Sequence, residues 1–99
     1  MVNHIVLWNF NERLNQEERE EAGKKMKELL EGLKNVVEGV IELQVVVNEI
    51  GSSNRDIALI SSFESREALK GYQVHPGHIE AGKFVRSVTC DRACLDYEV

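Results

Sequence analysis

The sequence predicts an α+β sandwich, and three observations carry that expectation. Segments rich in β-branched and aromatic residues alternate with segments whose apolar residues recur at helical spacing. These segments follow one another in the order β, α, β, β, α, β. The 99 residues are 42% apolar and 29% charged, with one Pro and seven Gly, a globular composition with room for one small core.

His4 to Phe10 reads as the first strand, stopping at Asn11. Asn15 is placed to cap a helix, with Glu18 as the reciprocal partner of a capping box. Glu17, Glu20 and Glu21 crowd the first turns, where the helix dipole favours negative charge. Ala22, Met26, Leu29, Leu30 and Leu33 then form one apolar stripe, and the helix stops between Gly32 and Asn35. Val40 to Val47 and Asp56 to Phe63 read as strands joined through the turn cluster Gly51-Ser52-Ser53-Asn54. Ser65 caps a short helix through Tyr72, which must end before Pro76 because a residue preceding proline avoids helical geometry. Gly77 to Val85 resumes as helix, and Val88 to Tyr97 is the last strand.

With right-handed crossovers this order gives a ferredoxin-like βαββαβ sandwich, a four-stranded antiparallel sheet with both helical segments on one face. A sheet with one wet face alternates cleanly between apolar and polar residues. This one does not. The first strand carries His4, Val6, Trp8 and Phe10 on one side and Ile5 and Leu7 on the other, and the third pairs Ile57, Leu59 and Phe63 with Ala58 and Ile60. The second strand puts Ile41, Leu43, Val45 and Val47 in one row. One helical layer cannot cover two faces, so the second is expected to pack against another copy, sheet to sheet, in a homodimer.

A formal net charge of −5 leaves no basic surface for phosphates or an anionic bilayer, so neither nucleic acid nor membrane is an expected partner. No apolar run approaches the length of a membrane span and no secretion signal opens the chain, so a cytoplasmic location is expected. Cys90 and Cys94 lie on one strand, on one face by simple alternation and about 13 Å apart, beyond disulfide reach. Reduced thiols are the expectation.

Candidate chemistry gathers in Tyr72-Gln73-Val74-His75-Pro76-Gly77-His78. His75 stands where a helix begins and is read as a cap, with a pocket role as the alternative. His78 falls in the first turn, where the dipole depresses an imidazole pKa, and is read as either a structural residue or a neutral base. Tyr72 is near enough to exchange a hydrogen bond with it. Asp96 would orient an imidazole if the last strand lies beneath this helix, and His4 would reach the same floor or sit as a satisfied core residue. Trp8 and Phe10 are read as core. Arg92 is expected to be ion-paired, with an anion clamp as the second reading. Two histidines three apart lack a third ligand, and no HExxH, GxSxG, phosphate-cradling or dinucleotide motif is present, so no metal and no cofactor is expected.

Taken together, the opening His4-Ile5-Val6-Leu7-Trp8-Asn9-Phe10, the run Asp56-Ile57-Ala58-Leu59 into Phe63-Glu64-Ser65, the segment Glu67 to His78, Phe84-Val85, and the closing Arg92 with Asp96-Tyr97-Glu98 resemble the stress-responsive A/B barrel (Dabb) family of the dimeric α/β barrel superfamily. The resemblance spans residues 1–99 as one domain and implies a ferredoxin-like protomer pairing into a barrel. Most similar bacterial members have no assigned reaction. Plant members include a boiling-stable stress protein and polyketide cyclases that close a poly-β-keto chain by intramolecular aldol condensation. That resemblance implies His78 as general base, Tyr72 as its hydrogen-bonding partner, and His4 and Asp96 as polar pocket groups. The walls depart from a long-chain cyclase, since the first helix offers Ala22, Gly23 and Met26 and the sheet offers Ser61. Two functions follow. One is a ligand-binding homodimer in which Tyr72, His75 and His78 line a small cavity with Trp8, Met26, Leu59 and Arg92. The other is a lyase, cyclase or isomerase that uses His78 as base on a small carbonyl compound.

Overall fold

The computed structural model describes residues 1–99. Its elements are β1 (Val2–Phe10), α1 (Gln16–Glu31), β2 (Val40–Val47), β3 (Ile57–Phe63), α2 (Arg66–Val74), α3 (Pro76–Val88) and β4 (Thr89–Glu98). The four strands form one antiparallel sheet in the order β2-β3-β1-β4, which is the ferredoxin-like arrangement. The expected caps are present. Asn15 accepts from the Glu18 amide at 2.8 Å, Glu18 returns the bond to the Asn15 amide at 3.0 Å, and Ser65 accepts from Ala68 at 3.1 Å.

The core lies between the helices and one face of the sheet, where Val6, Ile57, Leu59 and Phe63 meet Met26, Leu30, Tyr72 and Val85. The opposite face is apolar at its centre. Cross-strand neighbours share a face, and the pairings Ile5 with Ile60 and Leu95, and Leu7 with Ala58 and Ala93, put these six residues together. Ile60 is 36% exposed and Leu95 62% exposed, so nothing in the protomer covers this surface.

Three local readings are corrected. The third helix begins at Pro76, because a proline suits the first turn where its missing N–H leaves no bond unmade, and it runs on to Val88. Ile41 leaves the apolar row of β2. The register slips between Val40 and Glu42, making Ile41 the extra residue of a bulge, and Val40 instead stands opposite Phe63. Val47 stays in the row with Leu43 and Val45, opposite Ile57, and is half exposed only because it stands at the strand end. Cys90 and Cys94 do not share a face. A second bulge in β4, where Asp91 takes φ +52°, sets Arg92 and Asp91 together against Trp8. Cys94 therefore stays opposite inward-facing Val6 while Cys90 stands opposite outward-facing Asn9, and both thiols are free.

Candidate active site

β1 delivers His4 to the helix-facing side of the sheet, and the antiparallel register sets Asp96 of β4 directly opposite. The ring Nδ1–H of His4 donates to the Asp96 carboxylate. That bond fixes the orientation of the His4 ring against β4. The buried Ser61 hydroxyl donates to the His4 carbonyl at 2.5 Å, holding the strand position from the other side.

Over His4 lies a chain of rings. Tyr72 of α2 meets His4 edge-on at 6.4 Å between ring centres, packs on Phe63 at 5.0 Å, and is covered by His78 of α3 at 4.4 Å. The break between α2 and α3 sets this stack. His75 caps α3, its Nδ1 accepting from the Gly77 amide at 2.9 Å, and Pro76 starts the new helix so that His78 falls in its first turn. His78 Nδ1 then lies 3.2 Å from the carbonyl oxygen of Gln73, in the last turn of α2. A ring N–H donating to that helix-end carbonyl leaves the lone pair on Nε2. Burial lowers the His78 pKa below the ordinary histidine value, and the charges of His4, Arg86 and Arg92 act in the same direction against the bond to Gln73. The ring is neutral at neutral pH.

Tyr72 is 0% exposed, and its hydroxyl has no hydrogen-bond partner. Burial pushes the phenol pKa up, so the group remains an O–H donor with nothing to donate to. A buried polar group in this condition costs about 1–3 kcal/mol, which singles it out.

The stack closes one side of a cavity of about 290 Å³. Its polar lining is His4, Tyr72, His78, Arg86 and Arg92, and its apolar lining is Val6, Trp8, Leu30, Leu59 and Val85, with Gly82 on the helix wall. A wider groove of about 450 Å³ runs from Leu7 along residues 46–58, but it holds no histidine or tyrosine. The chemistry favours the smaller cavity.

Six residues expected at the site line this cavity: His4, Trp8, Leu59, Tyr72, His78 and Arg92. Three do not. Met26 is fully buried in the core, His75 spends its ring on capping, and Asp96 stands behind His4, whose imidazole it orients. Gly23 and Ser61 supply no wall either. A Cβ on Gly23 would lie 3.5 Å from Phe10 Cζ and from Val47 Cγ2, which is close packing and leaves no ligand space. The expected ion pair of Arg92 is absent, since no carboxylate comes within bridging distance of its guanidinium. Arg86, Gly82, Val85, Leu30 and Val6 were not foreseen. The first three follow from one signal, because residues 78, 82, 85 and 86 share a face at i, i+4, i+7 and i+8. His4 Nδ1, Cys94 Sγ and Asp96 also gather within 4.8 Å, and the bond from His4 to Asp96 accounts for the closest pair.

The sequence model of the stress responsive A/B barrel domain matches residues 2–99 of this chain. A dimeric protein of unknown function and ferredoxin-like fold from Bacteroides fragilis is 33% identical, with a TM-score of 0.92 over 99% of this chain and 95% of its own. A dimeric ferredoxin-like protein of unknown function from Thermobifida fusca is 17% identical, with a TM-score of 0.80 over 99% and 90%. A hydroxynitrile lyase from Passiflora edulis is 17% identical, with a TM-score of 0.76 over 99% and 92%, a likeness of fold. No curated protein matches the chain.

Proposed function

This chain belongs to the stress responsive A/B barrel domain family, and from that premise we propose that it is a homodimer whose protomers each bind a small carbonyl compound and move a proton at the carbon beside the carbonyl. The observation that carries this reading is the buried, unpartnered Tyr72 hydroxyl against a neutral His78 whose Nδ1 is already committed to Gln73. His78 Nε2 is the base. As it takes the proton, charge develops on the carbonyl oxygen, and the Tyr72 O–H is the donor that the enolate oxygen receives. The imidazolium then returns the proton to carbon or to a leaving oxygen. The His4–Asp96 pair holds the floor beneath Tyr72, and Trp8 and Leu59 exclude water from it. At about 290 Å³ the cavity lies at the small end of ligand pockets, which argues against a long poly-keto chain.

The dimer rests on the uncovered apolar face around Ile5, Leu7, Ile60 and Leu95, and the Bacteroides fragilis relative is itself dimeric. No helix is long and apolar enough to cross a membrane. Two free thiols fit a reducing compartment, and the proposal places the protein in the cytoplasm with neither nucleic acid nor membrane as partner.

The test is deuterium exchange followed by proton NMR, with the full chain in heavy water and a panel of acetone, levulinate and methyl levulinate. The expected result is exchange beside the ketone faster than in buffer, returning to the buffer rate in His78→Ala with the circular dichroism of the fold intact. No acceleration with any of the three, or loss of fold in His78→Ala and in His78→Gln alike, would overturn the catalytic role. Saturable binding without exchange would leave a binding protein.

A further inference from the structure

Arg86 and Arg92 come from different elements, the last turn of α3 and the bulged start of β4, yet both line the His78 cavity. Neither guanidinium forms an ion pair with a carboxylate. In a chain with 17 acids and 12 Lys and Arg, two cations that share a cavity and pair with no carboxylate are conspicuous. A helix C-terminus accounts for a cation at Arg86, but not for one at Arg92. The backbone sets both exposed side chains at the rim of the cavity. Gly82, one turn before Arg86, leaves the helix wall bare, and Arg86 Nη1 lies 3.1 Å from the point a Cβ there would occupy. The β4 bulge at Asp91 keeps Arg92 on the face of Trp8. Tyr72 lines the same space, and its fully buried hydroxyl is a donor without an acceptor.

We propose that Arg86 and Arg92 form an anion subsite at the mouth of this cavity, so that its ligand is a small keto acid, its carbonyl against Tyr72 and His78 and its anionic end on the two guanidiniums. This rests on the carbonyl-site reading above and adds the substrate class. Guanidinium forks suit carboxylate and phosphate alike. Arg92 is the specificity-determining residue, because Arg86 has a second reason for its place.

The experiment compares levulinate with its methyl ester, which differ only in the anionic end, by calorimetric titration and by the deuterium exchange assay, using the full chain, Arg92→Gln, Arg92→Lys and Arg86→Gln. The acid should be preferred by about tenfold, the scale of one charge-assisted hydrogen bond. That preference should collapse toward one in Arg92→Gln and return in part in Arg92→Lys. Arg86→Gln serves as the second probe if Arg92→Gln does not fold. Inorganic phosphate is titrated alone and in competition. Phosphate binding tighter than levulinate, with the same Arg92 dependence, assigns the anionic end as a phosphate and supports the subsite. Equal handling of acid and ester, unchanged in Arg92→Gln, overturns the subsite while leaving the proton-transfer site standing. Arg92-dependent binding without exchange keeps the subsite and removes the base. No binding of any probe overturns both.

Discussion

His78 spends one ring nitrogen on the end of a helix and keeps the other for the cavity, and this division makes its roles separable. Its pKa in the folded protein is lowered, so the neutral ring is the form the fold prefers. The stability consequence has a definite sign. Above the ordinary histidine pKa of about 6.5 both folded and unfolded states hold a neutral ring and nothing is lost. As pH falls below that value the unfolded chain takes a proton that the folded site refuses, and stability declines until the lower folded pKa is passed. Chemical denaturation of wild type and His78→Gln between pH 8 and pH 5 should therefore show the wild type losing ground on acidification, and parallel curves would contradict it. Tyr72→Phe is a cleaner test of purpose. Removing a buried hydroxyl that bonds to nothing should raise the ligand-free stability by about 1 kcal/mol while abolishing turnover, read by urea midpoint and by exchange rate. A loss of stability would mean the hydroxyl is structurally employed. At this scale the sequence was readable where a residue's face follows from local periodicity, as for His4, Trp8 and Leu59. It was not readable for specific partners: which imidazole Asp96 meets depends on the strand opposite, and the carboxylate expected at Arg92 never arrives.

Elements position these residues through their ends. The expected first helix and its capping box were legible because Asn15 and Glu18 signal a local bond, and Asn15→Ala should lower the urea-derived stability by about 1 kcal/mol without touching the cavity. His75 is the opposite case, a cap with consequences for the site. It ends α2 and begins α3, so it sets the angle at which His78 meets Tyr72. His75→Asn keeps a side chain that accepts from the Gly77 amide and should retain ligand binding. His75→Ala should lose about 1 kcal/mol of stability and weaken binding together. Equal function in both would show that the cap is not what aims His78. The bulges were the illegible part of the strands. A one-residue slip turns every later side chain to the other face, and no composition signal marks Ile41 or Asp91 as the extra residue.

At the scale of the whole molecule, the decisive feature was written in the strands themselves. Ile5 and Leu7 on one strand and Ala58 and Ile60 on the next are apolar where a wet face would be polar, and the register sets them side by side with Leu95 and Ala93. The helices all lie on the other face, so the protomer has no further layer with which to bury this one. Leaving a contiguous apolar patch in water forgoes about 25 cal/mol for each Å² that a partner would remove, and the same patch on a second copy is self-complementary under a two-fold axis. A charge at its centre would have to be desolvated without a counter-charge, because the neighbouring pairs supply none. Ile60→Asp should therefore convert a dimer to a monomer, or to unfolded chain, in multi-angle light scattering at micromolar concentration. Wild type should run at twice the chain mass under the same conditions. Because the His78 cavity lies on the helix side of the sheet, a folded Ile60→Asp monomer should still bind levulinate, whereas a folded Ile60→Asp dimer would show that the association uses a different surface.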